Sequence, residues 1–267
     1  MSTRPYVRWR EGGWIGWRAD GTQVDLAVLA RADTAPVRRS RHAQTVRLEG
    51  PAGVRFVKTY APPDGFRATR AFRMGGALED AGFGVPVVVL LARRGRAGIL
   101  VTEDTGGTGL AAAVERLAGD RTARRALLRA LGREIARLHT AGFVHGDLVP
   151  SNVQQRADEF VLLDHDRTRR GRWLVWLTGR RNLVQLGRFV IPGVTLTDRV
   201  RVLTAYTAAR GFSRRRRRRL ARWLVRKTIA RRCRIDRIPV GDAARVGFRE
   251  LMRSGGRFDP MRADGRA

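Results

Sequence analysis

The chain has 267 residues, with 54 Lys and Arg against 24 Asp and Glu, a formal net charge of +30, and 43% hydrophobic residues. That apolar share is ample for a sizeable core and excludes a disordered chain; a single cysteine, Cys233, excludes an intrachain disulfide and a cysteine-based zinc site. The longest apolar runs, Val85–Ala92 and Leu183–Val194 (broken by Gln185, Arg188 and Pro192), fall well short of the ~20 residues that span a bilayer.

The first ten residues carry arginines but neither an apolar stretch nor a small-residue cleavage site, so the expectation is a cytoplasmic chain without a secretory signal. The first hundred residues read as β-rich. Short Val-rich segments bounded by turns occur at Gln23–Leu29, Thr45–Leu48, Val54–Tyr60, Val85–Leu91 and Ile99–Val101. Trp9, Trp14 and Trp17 read as core or sheet packing. Gly50-Pro51-Ala52-Gly53 and Asp64-Gly65 mark turns, and Arg67–Ala81 is predicted as the one helix of this part, with a glycine cap at Gly82. Thr105–Gly109 reads as a linker, after which the pattern turns helical: Leu127, Leu131, Ile135 and Leu138 recur at three to four residues, and Gly142 is placed to end that helix. Further helices are predicted at Trp173–Phe189, Asp198–Arg210, Arg214–Arg234 and Asp242–Met252. The expectation is an α+β chain of two lobes, residues 1–104 β-rich with one helix and residues 105–267 mainly helical, with no internal repeat.

Directly after the helix ended by Gly142 comes Val144-His145-Gly146-Asp147-Leu148-Val149-Pro150-Ser151-Asn152, then a polar turn, then Phe160-Val161-Leu162-Leu163-Asp164-His165-Asp166. The order is helix, loop, strand, acidic turn. Phosphoryl transfer needs a carboxylate that orients the attacking hydroxyl and takes its proton, and oxygen ligands for the magnesium ions that neutralise the phosphates. Asp147 can supply the first, Asn152 and Asp164 the second; without that chemistry, Asp147 and Asn152 merely cap turns and Asp164 ends a strand. Upstream, Val54–Tyr60 alternates like a strand and carries Lys58, one of two lysines in a chain that otherwise uses arginine. A compact ammonium chosen over a forked guanidinium suits contact with the α- and β-phosphates of ATP.

His145-Gly146-Asp147 with Asn152 and Asp164, following the Lys58 strand, resembles the protein-kinase-like fold, and most closely the bacterial lipopolysaccharide core kinases, which phosphorylate heptose or 3-deoxy-manno-octulosonic acid (Kdo) at the cytoplasmic face of the inner membrane. Phe83-Gly84-Val85-Pro86 is similar to that family's turn after the first-lobe helix. Ile99–Asp104 is similar to its hinge strand, which sets Glu103 among the nucleotide-binding residues. The resemblance covers roughly residues 40 to 190 and implies ATP and Mg²⁺ as cofactors, Asp147 as base, Lys58 on the phosphates, and Asn152 and Asp164 on nucleotide and metal. His165-Asp166 follows Asp164 where the protein kinases have Phe-Gly, an Asp-x-Asp that resembles small-molecule kinases and sets Asp166 as an additional metal or structural carboxylate, while Glu79 is the candidate partner of Lys58. Three departures stand out. Ser40–Val46, where a glycine-rich phosphate loop belongs, holds no glycine, so phosphate cover falls to the amides of an ordinary hairpin. No Ala-Pro-Glu follows Asp164, which favours a sugar, glycolipid or other small hydroxyl acceptor over a protein. Asn182 replaces an Asp of the family and reads as a helix-surface amide; His139 reads as a satisfied core residue and His42 as having no visible partner.

Residues 167–267 hold 29 of the Lys and Arg and 6 of the Asp and Glu, and Arg214–Arg234 alone has 12 basic residues and no acidic one. Such a block attracts polyanions. Leu220, Trp223, Leu224 and Thr228 fall on one side of this segment, so the expectation is a basic helix that docks on an anionic membrane surface or phosphorylated glycolipid. The expectation is an ATP-dependent kinase of a lipopolysaccharide core sugar, peripheral on the inner face of the inner membrane. The alternatives are another small-molecule kinase, or one like the tRNA-modification-associated type with its His-Gly-Asp-Leu-x-x-Ser-Asn loop, for which the basic tail serves nucleic acid. A non-catalytic pseudokinase scaffold is the alternative from another class.

Overall fold

The computed structural model describes residues 5–23, 36–51, 53–191 and 193–236. The segment Gln23–Leu29 beyond its first residue and the predicted helix Asp242–Met252 lie outside them. The chain divides into two compact units, of which the first comprises residues 5–107 and 161–168 among those described and the second 108–160 and 169–236. The return of 161–168 to the first unit is not captured by a single division after residue 104.

The first unit is an antiparallel sheet of seven strands: β1 (Tyr6–Glu11), β2 (Trp14–Ala19), β3 (Arg38–Arg39), β4 (Ala43–Gly50), β5 (Gly53–Tyr60), β6 (Val88–Arg94) and β7 (Ala97–Glu103), in the order β1-β2-β6-β7-β5-β4-β3. The β1–β2 hairpin escapes the sequence reading because an edge strand alternates solvated arginines with apolar residues: Arg8 and Arg10 are exposed while Trp9 is buried in the sheet's core. Trp14 packs against the same cluster, as expected. Strand alternation sends Val57 to this cluster and Tyr60 to the opposite face, where Ala68 and Ala71 of helix α1 (Phe66–Asp80) cover it. Lys58 shares Tyr60's parity and so stands on the helix-covered face. It sits on an inner strand, paired with Thr45 of β4 and Leu100 of β7. Gly82 has φ 78° and its N–H reaches the Glu79 carbonyl, while the Phe83 N–H reaches the Leu78 carbonyl, so the glycine cap predicted for this helix is present.

The second unit contains β8 (Thr108–Gly109), α2 (Leu110–Arg116), α3 (Arg121–Thr140), β9 (Phe143–Val144), β10 (Val153–Arg156), β11 (Glu159–Leu162, whose end passes into the first unit), β12 (Arg169–Arg170), α4 (Arg172–Gly187), α5 (Leu196–Ala209) and α6 (Arg214–Asp236). The start of α3 is capped by Asp120, whose Oδ1 accepts from the Thr122 and Ala123 amides at 2.9 Å each. Its predicted face is buried: Leu127, Leu131, Ile135 and Leu138 are all inside. Helix α5 opens with a capping box between Thr195 and Asp198. It crosses α3 so closely that a Cβ on Gly132 would lie 2.4 Å from the Val202 carbonyl oxygen.

The apolar side of α6 turns inward, contrary to a helix that inserts it into a membrane. Leu224 and Thr228 line an apolar cavity of about 160 Å³ with Leu128 and Leu131, and the Arg180 guanidinium stacks over the Trp223 ring at 4.4 Å. The arginine side of α6 stays outside: Arg214, Arg215, Arg216, Arg218, Arg219 and Arg222 are all exposed. Among the described residues, no helix is long and apolar enough to cross a membrane.

Candidate active site

In the first unit, Lys58 gathers two carboxylates. Its Nζ lies 2.6 Å from Asp164 Oδ1 and 3.4 Å from Asp166 Oδ2, and 5.2 Å from the centre of the Tyr60 ring. The approach of Asp164 is built by the strand before it: Val161 bridges Gly84, and the Leu162 amide donates to the Gly84 carbonyl at 2.8 Å. Asp164 itself adopts φ 63°, ψ 72°, a left-handed conformation that costs a non-glycine residue free energy and persists only where the surroundings hold it. His165 is what holds it. Buried between the two aspartates in sequence, its ring bonds Nε2 to the Leu162 carbonyl at 2.8 Å and Nδ1 to Thr168 Oγ1 at 3.4 Å, which closes the short 3-10 turn His165–Arg167 and brings both flanking carboxylates to Lys58.

The electrostatics match a site made for cations. Burial, and next the Asp164 charge, push the Asp166 carboxyl above its ordinary range, against the pull of Lys58. Burial and the two aspartates likewise push the Tyr60 phenol up. Arg67, near the start of α1, acts on both groups as a second cation. It is held by Asp64, whose carboxyl takes Arg67 Nε at 2.8 Å and His42 Nδ1 at 2.8 Å, and these two partners keep Asp64 below the usual carboxylate range. His42, read from the sequence as lacking a partner, thus has one.

The expected Lys58–Glu79 pair is not formed; Asp164 and Asp166 take its place. The reason lies in α1, whose acidic residues are only its last two, Glu79 and Asp80, while its middle offers Ala71, Phe72 and Gly75. Glu103 closes β7, where its amide donates to the Val87 carbonyl at 2.9 Å. The glycine-free stretch from Ser40 is a β3–β4 hairpin, and its amides are turned inward: Ser40 Oγ accepts from the Ala43 and His42 N–H groups.

In the second unit, the loop from His145 to Asn152 folds on itself and is clamped from α4. Asn152 Nδ2 donates to the Asp147 carbonyl at 2.9 Å, which orients the amide beside the candidate base. Asn182 is the clamp. It is 1% exposed, not a surface amide: its Oδ1 accepts from the His145 amide at 3.1 Å and from His139 Nε2 at 3.2 Å, while its Nδ2 donates to Gln185 Oε1 at 2.8 Å. Gln185 continues the grip, donating to the Gly146 carbonyl at 2.6 Å and accepting from the Leu148 amide at 3.2 Å. Because Nε2 of His139 donates to Asn182, its Nδ1 accepts the Tyr206 hydroxyl at 2.9 Å; burial holds this imidazole down at about 4, so it stays neutral. His139 is the satisfied core residue that its place on an apolar helix face predicts.

Gln185, Arg67 and Arg188 have no functional role in the sequence-based expectations. Arg188 follows the end of α4; burial and the charge of Arg231 lower its pKa, and Asp147 works in the opposite direction as a counter-charge. The signal for the clamp was present as two amides, Asn182 and Gln185, spaced three apart in an otherwise apolar stretch, which is a burial pattern and not a surface one.

Oxygen donors dominate what could hold a metal: in the first unit the carboxylates of Asp164 and Asp166, both drawn to Lys58, and in the second unit, described by itself, the amide oxygen of Asn152. Among the described residues no group of three or more His, Cys, Asp or Glu forms a protein-only metal cage. The Asp164 and Asp166 pair of the first unit fits Mg²⁺, which takes one or two carboxylates and completes its shell with water and substrate phosphates. The buried Tyr60 hydroxyl, under the influence of Asp166 and Asp164, is a further polar atom at this cluster.

Residues 59–206 match the sequence model of the lipopolysaccharide kinase (Kdo/WaaP) family, more than half of the chain. Two curated relatives are described as probable bifunctional tRNA threonylcarbamoyladenosine biosynthesis proteins. The one from Haloquadratum walsbyi is 34% identical over 155 residues, covering 56% of this chain and 27% of the relative. The one from Methanothermobacter thermautotrophicus is 33% identical over 155 residues, covering 57% and 27%. The chain thus spans about a quarter of the length of these relatives.

Proposed function

The chain belongs to the lipopolysaccharide kinase (Kdo/WaaP) family, with its kinase-like fold, and on that footing we propose that it transfers the γ-phosphoryl group of ATP to a hydroxyl of an inner-core lipopolysaccharide sugar, heptose or Kdo. The observation that carries the reading is the junction of Lys58 with Asp164 and Asp166, an ammonium facing the kind of carboxylate pair that phosphoryl transfer uses. When bound, magnesium and ATP supply the transferable group and the neutralising charge. Asp147 orients the acceptor hydroxyl and takes its proton as the oxygen–phosphorus bond forms and ADP departs. Asn152, Asp164 and Asp166 are the oxygen donors for magnesium, Lys58 holds phosphate, and Glu79 and Glu103 lie among the nucleotide-side residues. Asn182 and Gln185 are positioning residues, fixing the backbone on both sides of Gly146 so that Asp147 projects from a rigid loop. An acceptor of this kind sits in a membrane, so the proposed location is the cytoplasmic face of the inner membrane.

A second reading has two supports: the curated relatives are described as probable tRNA threonylcarbamoyladenosine biosynthesis proteins, and the arginine side of α6 is open to a polyanion. The deciding experiment measures magnesium-dependent ATP turnover by wild type and Asp147→Ala with purified lipopolysaccharide core, with tRNA, and with neither. Turnover stimulated by the core sugar and lost in Asp147→Ala supports the proposal. Stimulation by tRNA alone moves the function to the RNA-associated class. An absence of nucleotide binding in every arm leaves a scaffold.

A further inference from the structure

Helix α4 leaves its bulkiest side chains in solvent. Trp176 is 78% exposed, Trp173 65% and Leu177 45%, and their spacing of three and four residues sets them on one side of a single turn. Two neighbouring open tryptophans form an apolar protrusion of the kind that marks an interaction surface, since either ring could bury 150–250 Å². The protrusion borders a groove of about 1050 Å³ between α4, α5 and α6, lined by seven arginines and no acidic residue. Among the described residues no carboxylate pairs with Arg180, Arg219, Arg222 or Arg226 across this groove. Two guanidiniums lie over aromatic rings, Arg180 with its Cζ 4.4 Å from the centre of Trp223 and Arg216 with its Cζ 3.8 Å from the centre of Phe212. A guanidinium held over a ring keeps its N–H donors available for phosphate oxygens.

We propose that this face, Trp173, Trp176 and Leu177 of α4 with the facing arginines of α6, docks the protein on an anionic phospholipid bilayer, the indoles entering the headgroup layer and the arginines binding lipid phosphates. Indole rings favour that layer because one edge is apolar and the N–H remains wet, and unpaired arginines add attraction to anionic lipid. The surface is distinct from the apolar side of α6, which is turned into the protein. A strand of RNA would meet the same arginines, but bases stack within a groove, whereas Trp173 stands outside the groove lining and Trp176, at its rim, keeps most of its ring in solvent. The docking face is argued from exposure and charge alone and is independent of phosphoryl transfer.

Flotation of the full chain is therefore done without nucleotide or acceptor, on vesicles of phosphatidylcholine with phosphatidylglycerol and on phosphatidylcholine alone, with brominated acyl chains as quenchers of tryptophan fluorescence. Wild type should bind the anionic vesicles and be quenched. Trp173→Ala with Trp176→Ala, both exposed positions that leave the core intact, should lower partitioning about tenfold and remove the quenching. Arg219→Gln with Arg222→Gln and Arg226→Gln should abolish the preference for anionic lipid. Unchanged partitioning of the double tryptophan variant overturns the proposal. So does binding of a short single-stranded RNA, sensitive to Trp176→Ala, by a protein that ignores both kinds of vesicle.

Discussion

Lys58 and Asp164 are 106 positions apart in sequence, yet Nζ and Oδ1 lie 2.6 Å apart, with Asp166 Oδ2 at 3.4 Å from the same ammonium. The contact ties an inner strand of the sheet to the acidic turn that follows β11, and the left-handed backbone of Asp164 is the conformational cost of making it.

Replacing Lys58 by Met leaves two neighbouring carboxylates without their cation. Phosphotransfer should fall about 100-fold or more, the scale of losing one group that stabilises developing charge. Lys58→Arg should not restore it, because a forked guanidinium cannot stand in for a compact ammonium between Asp164 and Asp166. Steady-state kcat/KM for ATP in the three proteins is the measurement; full activity in Lys58→Arg would sink this account of the site.

Asn182→Leu keeps the volume of the clamp and removes its hydrogen bonds, leaving the His145 amide and His139 Nε2 unsatisfied in the interior. A cost of about 3 kcal/mol in unfolding free energy is expected. Loss of loop rigidity should lower kcat while leaving the KM for ATP nearly unchanged, a split that simple destabilisation would not produce. Denaturant titration and initial-rate kinetics on the same preparation separate the two effects.

The neutral, buried His139 imposes a pH dependence on stability. Its folded pKa, about 4, is depressed below the unfolded value of 6.5, so the unfolded chain binds a proton that the folded one refuses. This contribution is fully present above pH 6.5 and is lost as pH falls from there towards 4, amounting to about 3 kcal/mol across the window. Denaturation midpoints of wild type and His139→Gln, measured from neutral to acid pH, should converge as the pH drops; parallel curves would contradict the assignment.

Gly132 lies where α3 and α5 touch. A Cβ there would meet the Val202 carbonyl oxygen at 2.4 Å and the Ala205 Cβ at 2.9 Å, both parts of a rigid helix. Gly132→Ala gains about 1 kcal/mol of helix propensity but should still destabilise, and Gly132→Val should cost about 3 kcal/mol through overpacking. Thermal unfolding of the two variants tests the order; a more stable Gly132→Ala would mean the helices part freely.

Much of the local structure that carries the candidate site was legible in the chain itself. The spacing of Asp147, Asn152 and Asp164, the lysine on an alternating strand, the buried stripe of Leu127, Leu131, Ile135 and Leu138 and the glycines at 82 and 142 are local patterns, fixed by helix and strand periods and by the few residues that tolerate a positive φ. Partner choice is not local. Lys58 takes Asp164 and Asp166 because α1 lacks an acid in its middle turns. Asn182 becomes a buried clamp because α4 lies against the His145 loop. Trp173 and Trp176 stay in solvent while Trp223, chemically identical, is covered by Arg180. Composition and period establish which side chains could be buried or charged, but only the packing of elements distant in sequence decides which of them meet, since that depends on the free energy of contacts no single segment makes alone.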